Sequence, residues 1–108
     1  MSLKVGKEAE EKASAYLKKE GHTILAQNFH SKFGEIDIIT CKENTLHFCE
    51  VKFSHKYDPI TRITPSKMAK IIKTLQYYLL THPNSYDYQI DAILVTPETI
   101  EIIKNISY

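Results

Sequence analysis

No run of about 18 apolar residues occurs in the 108-residue chain, which excludes a membrane-spanning helix. The opening stretch, MSLKVGKEAEEKASAYL, lacks an apolar segment followed by a cleavage site, so no secretory signal is expected. There are only two cysteines, and without a signal they point to a reduced, cytoplasmic protein rather than a disulfide framework. Repeats, low-complexity tracts and linkers are also missing, and the length fits one domain (1–108) with one core. Nor is there an overall excess of charge: the net value is +1. The imbalance is local. Residues 52–73 carry Lys52, Lys56, Arg62, Lys67, Lys70 and Lys73 against Asp58 alone, and the rest of the chain is net acidic. Such a basic region can steer a polyanion to one face, or it can simply be a solvated helix surface.

Periodicity places the elements. Val5, Ala9, Ala13, Tyr16 and Leu17 recur at helical spacing, predicting a helix from about Leu3 to Glu20 with Gly21 just past its end. HTILAQNF (22–29) reads as a short strand and Phe29–Phe33 as a loop. Glu35–Cys41 and Leu46–Phe53 read as strands around the turn cluster KEN. Thr64-Pro65 predicts the start of a second helix, with Met68, Ile71, Ile72, Leu75 and Leu79 on its apolar face and His82-Pro83-Asn84 at its end. YQIDAILVT (88–96) and TIEIIKNI (99–106) read as the last strands. This order predicts a mixed α/β domain with helices packed on a central sheet.

The stretch GEIDIITCKENTLHFCEVK (34–52) is unusual because two carboxylates interrupt apolar strands. Burying a charge is costly unless something pairs with it. A two-residue loop at Glu43-Asn44 would oppose residues whose numbers sum to 87, setting Asp37 against Glu50 and Glu35 against Lys52. Alternation then puts Glu35, Asp37, Glu50 and Lys52 on one face and Ile36, Ile38, Val51 and Phe53 on the other, apolar one. Like charges directly opposed destabilise a sheet, so the arrangement calls for compensation. A magnesium or manganese ion would supply it, held by two carboxylates, a carbonyl oxygen and water. Lys52 would then sit beside the metal, able to orient a water or neutralise transition-state charge in phosphodiester hydrolysis. The same residue types also form ion-pair clusters on solvated faces, and a bare D-x12-ExK spacing does not separate the two readings. The opposed register and the apolar strands favour the metal.

The combination of GEIDII with HFCEVK, the N-terminal GKEAEEKASAYLKKEGHTILAQNF, the helix SKMAKIIKTLQYYL and the strand YQIDAILV resembles the YraN-like family of small bacterial proteins. That family is similar to the archaeal Holliday-junction resolvases and to the PD-(D/E)xK, restriction-endonuclease-like superfamily. The resemblance spans nearly the whole chain. It implies a restriction-endonuclease-like α/β fold, a central mixed sheet flanked by helices, and a metal-dependent endonuclease acting on DNA, with branched or structured DNA as substrate. It implies Asp37 and Glu50 as metal ligands, the Val51 carbonyl as a third, Lys52 as the catalytic lysine and Glu10 as an acidic residue reaching the metal through water. On the residues alone, Glu8 flanks the helix face as well as Glu10 does. The resemblance also implies a phosphate contact for Lys67; Lys56, Arg62 and Lys70 are the other candidate DNA contacts, from the basic segment. Symmetric cutting of a junction implies a homodimer. Two departures remove positive charge: Ser54 follows the Glu-Val-Lys element where relatives commonly carry a basic residue, and Gln89-Ile90 precede Asp91 where they commonly carry Arg-Phe. The rival reading is a nucleic-acid-binding or assembly module that keeps the fold without cutting. Cys41 and Cys49 fall on opposite faces in the predicted register, which argues against a zinc site with His47.

Overall fold

In the computed structural model, residues 3–55 and 63–106 are described. The chain runs α1 (Leu3–Lys19), β1 (Thr23–Ser31), β2 (Gly34–Lys42), β3 (Thr45–Phe53), α2 (Pro65–Thr81), β4 (Asp87–Val95) and β5 (Ile100–Ile103). The strands form one sheet in the order β1-β2-β3-β4-β5. β3 and β4 are parallel, as the intervening α2 crossover allows, and the other neighbours are antiparallel. This mixed sheet with two helices is compatible with a restriction-endonuclease-like fold.

Local signals set the element ends. α1 stops at Gly21, whose φ of +94° suits glycine, and the His22 N–H caps the Leu17 carbonyl at 2.9 Å. Thr64 caps α2: its Oγ1 accepts from the Lys67 N–H at 3.1 Å, with Pro65 at the first helical position. Glu43 and Asn44 both take positive φ, closing the two-residue β2–β3 turn that the sequence predicts.

Each sheet face carries a helix. α1 buries Ala9, Ala13 and Leu17 against Ile38, Cys49, Val51, Ile93 and Val95. α2 buries Met68, Ile71, Leu75 and Tyr78 against Ile36, Ile39, Leu46, Phe48 and Ile90. Each fully buried large aliphatic or aromatic side chain contributes about 1.5–3 kcal/mol, so both faces are needed for the core.

Three expectations are corrected. β1 runs on to Ser31, so Phe29–Ser31 belongs to a strand rather than a loop; Asn28, at φ +52°, and a register shift between Ile24 and Ala26 interrupt its pattern. Ile36 packs on the α2 side, not with Ile38, because β2 loses strict alternation between Ile36 and Ile39. Ile72 is 37% exposed; Thr74 and Tyr78 take the inward positions. Both faces are covered, as a central sheet flanked by helices implies. Cys41 and Cys49 do lie on opposite faces, with α2 and α1 respectively.

Candidate metal and phosphodiester site

The predicted register holds where the hairpin is paired: Lys42 opposes Thr45, and the ladder continues to Ile38 opposite Cys49. The pairing ends there. The first half of β2 pairs with β1 instead, and Glu35 opposes His30, 3.4 Å away from it, rather than Lys52. Asp37 lies at this divergence. Its Oδ2 accepts the Val51 N–H at 2.8 Å, so the carboxylate takes the place of a ladder acceptor. Gly34 lets the start of β2 approach α2 closely, since a Cβ there would stand 3.3 Å from the Lys70 Cβ.

Glu50 shares the α2-facing side of β3 with Leu46 and Phe48 and is 2% exposed. Its Oε2 meets Lys67 Nζ at 3.1 Å, while its Oε1 is buried and accepts no hydrogen bond from the described residues. Burial, and then the Asp37 charge, push the Glu50 carboxyl up to about 7 against the opposing pull of Lys67. Asp37 is raised as well, by burial first; the Val51 N–H and Lys67 work against the rise. For Lys67, burial disfavours its charge, but Glu50, Asp37 and Glu35 outweigh it and the net shift is upward. A lysine in the first turn of a helix opposes the helix dipole. Here the partly buried ion pair with Glu50 offsets that penalty.

α1 brings Glu10 rather than Glu8 to this region. Glu8 is exposed, whereas Glu10 is half-buried and raised by burial, by Asp37 and by Glu35. With its NH2 group turned toward them, the Asn28 carboxamide donates to Glu10 Oε1 and Glu35 Oε1, each at 2.9 Å. The reverse orientation would set three oxygens together. Asn28 was missed as a site residue by reading for acids and bases; its tolerance of positive φ was the available signal. Lys52 is half-buried, two residues beyond Glu50 on the same face of β3. Lys70 is exposed on α2, and Lys56 and Arg62 lie outside the described residues.

Asp37 and Glu50 are the residues here that could hold a divalent cation. The oxygens are hard ligands, two carboxylates disfavour each other's ionisation, and one buried carboxylate oxygen has no partner. The described residues do not form a finished cage: no group of three His, Cys, Asp or Glu side chains among them is close enough to hold a metal. Such a centre would rest on few protein ligands and several waters, as magnesium sites commonly do.

Gln89, one of the two departures, serves elsewhere. It donates to Asp91 Oδ1 at 2.8 Å, and Asp91 also accepts from His47.

Fold and site together define a small α/β protein with paired carboxylates and lysines where two sheet strands part. The family model described as "Uncharacterised protein family UPF0102" matches residues 9–95, and the chain belongs to this YraN-like family. Among its relatives is a UPF0102 protein of a Nitratiruptor species, 44% identical over 98% of this chain and 95% of the relative. A UPF0102 protein of Campylobacter fetus subsp. fetus is 46% identical over 95% and 93% of the two chains. One from Helicobacter pylori is 47% identical over 95% and 90%.

Proposed function

We propose that this protein is a magnesium- or manganese-dependent endonuclease that hydrolyses DNA phosphodiester bonds, with branched or structured DNA as substrate. The observation that carries the reading is the buried, unpartnered Oε1 of Glu50 beside the Asp37 carboxylate. A buried carboxylate with only one oxygen paired is costly, and a pure DNA binder gains nothing from acids that repel phosphate. Asp37, Glu50 and the Val51 carbonyl would hold the ion, with Glu10 acting through water. When bound, the ion would lower the pKa of a water and polarise a phosphoryl oxygen. Lys52 would orient the attacking water and neutralise charge developing on the phosphorus oxygens. Lys67, which pairs with Glu50 here, would contact the substrate phosphate when the ion is bound. Lys56, Arg62 and Lys70 would supply further backbone contacts that weaken with salt. A junction-cutting enzyme of this kind would work as a homodimer.

The non-catalytic alternative, a nucleic-acid-binding or assembly module, has one observation in its favour. The Lys67–Glu50 pair already neutralises half of the acidic pair without any ion. Incubation of a labelled four-way DNA junction and a matching duplex with magnesium or manganese separates the readings. The enzyme reading expects cleavage that falls about 100-fold or more in Lys52→Ala and Asp37→Asn. Salt-sensitive DNA binding with no cleavage, unchanged by either substitution, would establish the binding module instead.

A further inference from the structure

A second polar cluster lies at the other end of the sheet. His47 is three residues from Glu50 on β3 and projects to the opposite face, about 10 Å away along the strand. His22, at the end of α1, meets it edge-on with ring centroids 4.7 Å apart. Both histidines are more than nine-tenths buried. Between the β2–β3 turn, β4 and the residues after β5 they line a cavity of about 250 Å³, with Lys42 and Lys104 also on its wall.

The hydrogen bonds fix both rings the same way. His47 Nδ1 bonds Asp91 Oδ2 at 2.7 Å, and His22 Nδ1 bonds Thr40 Oγ1 at 2.6 Å. Each ring therefore keeps Nε2 for a ligand. Asp91 lies on the same wall as an ionised carboxylate whose oxygens are all engaged: Oδ2 faces His47, and Oδ1 accepts from Gln89 Nε2 and the Asn105 N–H. The wall thus carries two imidazoles, two ammonium groups, the buried carboxylate of Asp91 and the exposed turn acid Glu43. A metal ion is disfavoured by the lysines. No trio of His, Cys, Asp or Glu ligands is present among the described residues.

We propose that this cavity binds a phosphate dianion, either inorganic phosphate or the terminal phosphate of a small phosphomonoester. A tetrahedral dianion can accept from both ammonium groups and, with a proton drawn onto each ring, from both imidazoles, which the two oxygens of a carboxylate cannot do as fully. Asp91 positions His47, and Thr40 positions His22. The charged and titratable groups facing the imidazoles are Lys42 and Glu43 from the β2–β3 hairpin, Asp91 from β4 and Lys104 after β5. Burial, followed by His47, Lys42 and Lys104, holds His22 below its ordinary pKa, so the free protein keeps it neutral and an anion would draw a proton onto it. The site is independent of the metal centre and does not rest on the nuclease reading.

Sulfate is the first probe, because it stays a dianion throughout the imidazole titration range. Calorimetric titration of the whole protein at constant ionic strength, with chloride as control, should show saturable binding of sulfate and of phosphate. Sulfate affinity should fall as pH rises above the depressed His22 titration, by up to about tenfold per pH unit where the proton is taken up on binding. His47→Asn, whose amide can still donate to Asp91, should abolish binding. Lys104→Ala, at an exposed position, leaves the fold intact and should weaken binding several-fold. Comparing inorganic phosphate with glycerol phosphate distinguishes the free ion from a monoester as the preferred form. An absence of binding beyond chloride for all three anions, or sulfate affinity that is flat with pH and unchanged in Lys104→Ala, would overturn the proposal.

Discussion

At Glu50, burial and the Asp37 carboxylate both disfavour ionisation, and Lys67 offsets them only in part. The folded-state pKa of about 7 lies above the ordinary 4.5, so protonation favours the folded state. The stability linked to this group is fully present below the unfolded value and is lost as pH rises through about 7. At pH 8 the penalty is on the order of 3 kcal/mol. Glu50→Gln should therefore stabilise the metal-free protein at pH 8 by about 1–3 kcal/mol and flatten its stability between pH 5 and 8, as measured by urea unfolding. A loss of stability at pH 8 would show that the ion pair with Lys67 outweighs burial. The proximity of Asp37 and Glu50 was only partly legible: alternation and the turn residues set the register as far as Ile38 opposite Cys49, and the strands part just before the two carboxylates. Lys67 on Glu50 was not legible, because that contact depends on how α2 packs across the sheet. The His47–Asp91 pair was hidden for a similar reason: it joins neighbouring parallel strands that the α2 crossover separates in sequence.

Among the elements, α2 shows how one cap serves both stability and the site. Thr64 Oγ1 satisfies the Lys67 N–H, fixing the backbone from which Nζ reaches Glu50. Thr64→Ala should cost about 1 kcal/mol in denaturant unfolding. In addition it should loosen Lys67, visible as line broadening of its side-chain NMR signals. An unchanged stability would mean that packing of Met68, Ile71 and Leu75 alone holds the first turn. Both helices, the Gly21 stop, the Thr64-Pro65 start and the Glu43-Asn44 turn could be read from the chain because each has a local chemical cause. β1 was only half legible. Asn28 and the register shift break its two-residue period, and its continuation to Ser31 depends on pairing with β2. Ile36 changed faces for the same kind of reason, a local irregularity that period-2 reading cannot see.

For the molecule as a whole, helices on both faces leave β2, β3 and β4 as central strands, and the carboxylates sit where β2 parts from β3 beneath the start of α2. α1 approaches the same divergence with Glu10, so both helices and the β2–β3 pair converge on one region. Such convergence of acids and lysines has a cost in stability that a bound cation would remove. The most direct test is thermal unfolding with and without excess manganese, comparing the native sequence with Asp37→Asn, which can still accept from the Val51 N–H. At 100 times its dissociation constant the ion should add about 2.7 kcal/mol of stability, and the gain should vanish in the variant. Equal unfolding temperatures with and without millimolar manganese in the native protein, or the same gain in both proteins, would contradict a metal centre at Asp37 and Glu50.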